Sequence, residues 1–145
     1  MSTVAPLSVQ LQLQMRGIEL LKVQINPPAP GFNPVEFQFN LNLEIKLDAA
    51  NKLAFIITSA DVKADNKPDL LGVVSTVTIF SIPNFDDVFS KKDESLYQTP
   101  DEIMFVLISI AISTLRGVMF EKFRGTHLHK AILPVIDPKT FKKDT

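Results

Sequence analysis

The chain has no cysteine. Disulfides, thiolate zinc sites, iron–sulfur clusters and cysteine nucleophiles are therefore excluded, and the absence accords with a reducing compartment. There is no tryptophan and a single tyrosine, Tyr97, against eleven phenylalanines. Its aromatic surface thus has almost no polar handle. Glycine occurs only at 17, 31, 72, 117 and 125, so no glycine-rich phosphate cradle can be built. Neither sign of charge is in excess: fifteen Lys and Arg against sixteen Asp and Glu leave a net charge of −1. The basic footprint of a nucleic-acid binder is missing. No targeting leader is expected, since Met1-Ser2-Thr3-Val4-Ala5-Pro6 shows neither a basic stretch nor an apolar run behind it. The longest apolar run, Ile103 to Ile112, is broken only by Ser109. It measures roughly 15 Å as a helix, short of a bilayer core. The expectation is a cytoplasmic protein without a membrane span.

What is present is 145 residues, 46% of them hydrophobic. That is one domain's worth of chain, able to bury about two thirds of its unfolded surface. Leu7 to Met15 alternates apolar and polar residues, the period of a half-buried strand. The pattern slips at Arg16-Gly17 and resumes through Ile18, Leu20 and Leu21 to Ile25. A β-bulge in one long strand and two separate strands both satisfy it. Four prolines in the nine residues Asn26 to Pro34 then define a stiff, extended connection. Val35 to Leu47 alternates without fault, giving one greasy face along roughly 40 Å. Two further strands follow, separated by the turns Asp48 to Asn51 and Asp65 to Asp69. Short connections of this kind imply an antiparallel meander. The expected strands cover about 7–26, 35–48, 52–65 and 69–82.

Thr99-Pro100-Asp101-Glu102 reads as a capping box with proline at the first helical position and two acids in the first turn. It predicts a helix over about 100–123 with Gly125 as C-terminal cap, then a terminal segment over 128–145. The helix is apolar on nearly every side, so it requires cover on two sides. The sheet supplies one, and a second subunit is the simple source of the other. Gly117 in its interior costs about 1 kcal/mol against alanine, which close approach of a neighbouring backbone would explain.

Catalytic chemistry finds little support. The two histidines, His127 and His129, have no acid near them in sequence to complete a metal site. Ser109 and Ser113 lie one turn apart in the apolar helix, placed to donate back to its backbone rather than attack a substrate. Asp86-Asp87 and Asp93-Glu94 sit in polar surroundings and read as a solvated loop rather than a general acid/base pair. Arg116, Lys122, Arg124, Lys130, Lys139, Lys142 and Lys143 make the C-terminal third basic around Phe120 and Phe123. They read as solvated cations at a helix end. No enzyme, cofactor or nucleic-acid site is expected. What remains is apolar area, to be shared or exposed.

Five segments, in this order, resemble the divergent branch of the SecB family of export chaperones. They are Val9 to Ile25, Ile25 to Leu43, Thr78 to Ile82, Ile108 to Gly117 and Ile132 to Pro138. The resemblance implies an α+β fold, a four-stranded antiparallel sheet packed against a long C-terminal helix. It also implies a homotetrameric dimer of dimers with helices sandwiched between sheets. The implied function is ATP-independent holding of unfolded or preprotein clients in hydrophobic grooves. By position, Phe32, Val35, Phe37, Phe39, Ile103, Met104 and Leu107 take groove roles. Ile110, Ser113, Thr114 and Gly117 fall to the oligomer interface. The family's best-known members are markedly acidic, which helps them dock the SecA motor, and this chain is nearly neutral. Other SecB-like proteins control toxin–antitoxin systems, so SecA and an antitoxin both stand as partners. Two further readings use the same apolar surface: a carrier of a small apolar ligand, and a structural oligomerisation module.

Overall fold

The computed structural model describes residues 12–33, 36–91 and 97–141. Four strands form one antiparallel sheet: β1 (Gln14–Ile25), β2 (Phe37–Asp48), β3 (Leu53–Ala64) and β4 (Leu70–Ser81). The two turns expected between β2, β3 and β4 are present. The first is closed by Asp48, whose carboxylate accepts from the Asn51 backbone N–H at 3.2 Å and side-chain amide at 2.8 Å. The sheet order is β1-β4-β3-β2, so the proline-rich connection carries the chain from one edge to the other.

β2 keeps a regular register with β3 from Phe37–Ala64 to Asp48–Leu53. β1 does not keep one with β4: its register shifts between Met15 and Gly17 and again between Leu20 and Lys22. These are bulges at Arg16 and Leu21, and β1 is one strand, not two. Residues 7–11 of the expected first strand lie outside the described residues. Directly opposed residues of an antiparallel pair share a face. Met15 opposes Phe80, Ile18 Thr78, Leu20 Thr76, Val23 Val74 and Ile25 Gly72. The bulges thus re-phase the strand so that five apolar side chains share one face despite their irregular spacing.

A short helix, α1 (Phe85–Val88), and a two-residue ladder of β5 (Ser90–Lys91) with β6 (Tyr97–Gln98) lead to α2 (Asp101–Phe123). The expected capping box does not form. The N-cap is Pro100, whose ψ of 138° is extended, and no side chain caps the end. With Pro100 outside the helix, Thr99 stands one residue out of register for capping. Asp101 and Glu102 still place negative charge in the first turn. At the other end Gly125 adopts φ +80°, as its C-terminal role requires. Thr126 completes the stop: its hydroxyl donates to the Phe123 carbonyl at 2.7 Å and accepts from the Leu128 N–H at 3.0 Å.

α2 lies over β3 and β4. Ile103, Leu107 and Ala111 pack with Ala54, Ile56 and Phe80, and Ile108, Ile112, Leu115, Met119 and Phe123 pack with Ala60, Val62 and Val74. Beneath them runs a short polar seam of wholly buried threonines, where Thr58 and Thr76 share a hydrogen bond of 3.0 Å. By length and composition this 23-residue helix is apolar enough to cross a bilayer. The helix extends well beyond the ten-residue run, and its serines, threonine and glycine do not make it polar. Here 39% of its most apolar window is buried inside the fold.

Candidate functional site: two apolar aisles beside the helix

One helix cannot cover four strands. At an interaxial scale of 8–10 Å and a strand spacing of about 4.8 Å, a single helix shields roughly two. α2 shields the central pair, and an apolar aisle is left on each side of it.

The first aisle runs along β1. Met15, Ile18, Leu20 and Val23 face the helix layer but are left partly uncovered by the described residues, and Ile18 and Leu20 are 47% and 44% exposed. Ile18 and Leu20, together with Ser113, Thr114, Gly117, Val118, Glu121 and Lys122 of α2, border an open trough of about 520 Å³. Ile110 joins Ser109, Ser113 and Thr114 around a shallower hollow on the same helix face. The Thr114 hydroxyl donates back to the Ile110 carbonyl at 2.8 Å, so it is spent inside the helix. Among the described residues, and apart from the helix's own adjoining stretch, no atom lies within 4 Å of where a Gly117 Cβ would stand. The close neighbour expected at Gly117 is therefore not among the described residues. The outer face of the helix adds exposed Val106 and Phe120.

The second aisle runs along β2. Phe37, Phe39, Leu41, Leu43 and Ile45 all turn toward the helix layer and are only half-buried. Phe32, from the connection between β1 and β2, closes one end. Its ring meets the His127 ring edge-on, with centroids 5.4 Å apart. His127 Nε2 is buried and has no hydrogen-bond partner among the described residues. The other histidine, His129, lies against Phe120 at 5.8 Å. The long wall is the chain beyond the helix, residues 128–137. Leu128, Ala131 and Leu133 are buried in the cluster whose half-exposed margin holds Phe32, Phe37, Phe39, Met104 and Ile136. Arg116 clamps this wall to the helix. Its Nε donates to the Leu133 carbonyl at 2.7 Å and its Nη2 to the Pro134 carbonyl at 2.8 Å. Ile132 and Val135, on the far side of the wall, are 51% and 94% exposed.

Of the residues expected to line a groove, Phe32, Phe37, Phe39 and Met104 are half-buried at the margin of this cluster. Val35 lies outside the described residues. Ile103 and Leu107 are 3% and 0% exposed. They point down into the sheet and offer no surface in the protomer, a correction that follows from which helix face the sheet takes. Ile110, Ser113, Thr114 and Gly117 border the β1 aisle. Two contributors were not anticipated. The β1 side chains Ile18 and Leu20 were hidden by the phase slip, and the Arg116 clamp leaves no local sequence signal.

Neither the protein-family models nor the curated proteins contain a match to this chain. Among solved structures, it is similar to the SecB-like chaperone Rv1957 of Mycobacterium tuberculosis, solved in complex with a ChAD peptide from the Rv1956 HigA1 antitoxin. The TM-score is 0.58 at 13% sequence identity, over 86% of this chain and 90% of that one. A protein of unknown function from Streptococcus agalactiae aligns at a TM-score of 0.40 and 11% identity, over 79% of this chain and 90% of that one. The first likeness establishes the fold: a SecB-like four-stranded antiparallel sheet with a long C-terminal helix.

Proposed function

We propose that this protein is an ATP-independent chaperone that holds non-native polypeptide segments in the β2 aisle. The observation that carries the reading is the half-buried row Phe37, Phe39, Leu41, Leu43 and Ile45, flanked by Phe32 and by the Arg116-held wall. A row of this kind buries apolar side chains of a client at roughly 25 cal/mol per Å² whatever their order. It therefore suits many sequences. The Mycobacterium SecB-like chaperone, with the same fold, was solved holding an antitoxin peptide. A peptide-binding role is in keeping with that.

The β1 aisle and the outer helix face suit self-association. Met15, Ile18, Leu20, Leu21, Val23, Val106 and Phe120 are large apolar side chains exposed on this side, and contiguous apolar surface of that kind marks interaction sites. We assign to this side the packing of protomers into a dimer of dimers, with Ile110, Ser113, Thr114 and Gly117 at the contact. The setting is the cytoplasm, and the client's source is either an export precursor passed to SecA or an antitoxin. The carrier reading is less well supported, because the clefts are open troughs and not enclosed pockets.

The test is light scattering of an aggregating client diluted from denaturant, without ATP. Suppression at about one oligomer per client is expected. No suppression at several-fold excess over the client, and none with an antitoxin-derived client, would overturn the reading.

A further inference from the structure

The two edges of the sheet differ in a way the aisles alone do not explain. An unpaired strand edge is a template for another strand, and natural sheets blunt such edges with bulges, charges and proline. β1 is blunted: it carries two bulges, with Arg16, Glu19 and Lys22 along it. β2 is not. It pairs with β3 over twelve residues without a shift, so its outer edge is straight. Among the described residues no other backbone segment bonds to that edge. From Phe37 to Leu43 it has no proline and no ionisable side chain on either face: Phe37, Phe39 and Leu41 inward, Gln38, Asn40 and Asn42 outward. The ionisable residues Glu44, Lys46 and Asp48 begin only beyond that stretch.

We infer that the β2 edge over residues 37–43 binds its client by strand addition, extending the sheet by one strand. The inference rests on the chaperone reading and specifies how that site recognises its substrate. The occupant is an extended, uncharged segment of non-native polypeptide in which apolar and small polar residues alternate. Its backbone satisfies the free N–H and C=O groups of β2, which an apolar ligand cannot do. Its inward side chains enter the aisle beside Phe37, Phe39 and Phe32, and its outward ones stand beside Gln38, Asn40 and Asn42. A charged residue at an inward position of the segment would be desolvated against apolar side chains that offer no counter-charge.

The test uses the full chain and a nine-residue peptide alternating leucine and threonine, capped at both ends and carrying a dye. Two N-methylated versions are compared with the parent, each methylated at alternate residues in opposite register. One version is expected to bind about tenfold or more weaker, by loss of backbone bonds worth roughly 1 kcal/mol each. The other keeps the parent affinity within about threefold. Hydrogen exchange of amides 37–43 slows on adding the parent peptide. Equal binding by all three peptides, with unchanged exchange, overturns strand addition; if aggregation suppression persists, the chaperone reading stands. Protection of the same amides that rises with protein concentration alone also overturns it, since the edge then belongs to a second copy. Failure to bind the peptide and failure to suppress aggregation together remove both.

Discussion

Replacing Gly72 with alanine tests how tightly the wall of the β2 aisle is seated. Gly72 lies in β4 opposite Ile25, on the face beneath the end of α2. A Cβ there would stand 2.8 Å from Leu128 Cδ1, 3.1 Å from the Gln24 carbonyl oxygen and 3.3 Å from Phe123 Cζ. Its backbone is not in the left-handed region, so alanine meets no conformational penalty and would gain about 0.5–1 kcal/mol over glycine within a strand. The collision opposes this. Leu128 and Phe123 are both 0% exposed, and the carbonyl belongs to the β1 ladder, so nothing nearby yields freely. Overpacking of such a site costs typically 1–3 kcal/mol. The net expectation is a loss of about 1–2 kcal/mol, or about 3–5 °C in Tm per kcal/mol for a chain of this size. Chemical and thermal denaturation at fixed protein concentration provide the measurement. A double-mutant cycle with Leu128→Ala sharpens it. The single Leu128 truncation costs about 2–5 kcal/mol, and the added methyl partly refills the space, so the pair should be less destabilised than the sum by about 1 kcal/mol. A Gly72→Ala protein as stable as wild type, or additive with Leu128→Ala, would refute the close seating.

Three other outcomes are expected. Arg116→Gln loses the two bonds to the carbonyls of Leu133 and Pro134; it should cost about 1–3 kcal/mol and speed proteolysis after residue 130, and an unchanged cleavage pattern would contradict the clamp. Thr58→Val leaves the buried Thr76 hydroxyl without its partner and should cost about 1–3 kcal/mol, whereas the Thr58→Val, Thr76→Val pair should come close to neutral in denaturant unfolding. The bonds from Asn51, its side-chain amide first, hold the Asp48 carboxyl below the ordinary aspartate range; a depressed folded pKa contributes stability above the unfolded value that fades as pH falls through the folded one, so Asn51→Ala, which removes the amide but keeps the backbone N–H, should raise the Asp48 pKa in an NMR titration and lessen that acid-side slope.

β2, β3 and β4 were readable because each is phased by a simple local rule: strict alternation in β2, and turn residues at Asp48 to Asn51 and Asp65 to Asp69. β1 was readable only to its first bulge. Two inserted residues, Arg16 and Leu21, leave its inward set at 15, 18, 20, 23 and 25, which no single period describes. The helix was recognised from its cap and its need for cover, yet the cap itself is not used, because a proline with helical φ is free to take an extended ψ. The site was half legible. Phe32, Phe37, Phe39 and Met104 follow from position along the chain. That Ile103 and Leu107 turn inward depends on the helix's rotation, which an all-round apolar helix does not encode. The Arg116 clamp joins residues that only tertiary packing brings together.

The strand order bears on how the chain acquires its fold. β2, β3 and β4 are joined by tight turns, but β1 must pair with β4, from Gln14–Ser81 to Ile25–Gly72, across the whole intervening meander. Such a non-local closure is the slow one. We expect β1 to dock last, onto a meander already covered by α2; pulse-labelling exchange that protected β1 amides before those of β3 would contradict this. On a ribosome, the first strand to emerge would then wait for the fourth before it finds a partner. In that interval the edge left open is β4, rich in valine and threonine, so a newborn copy of this protein passes through a stage in which it is itself in danger of mispairing.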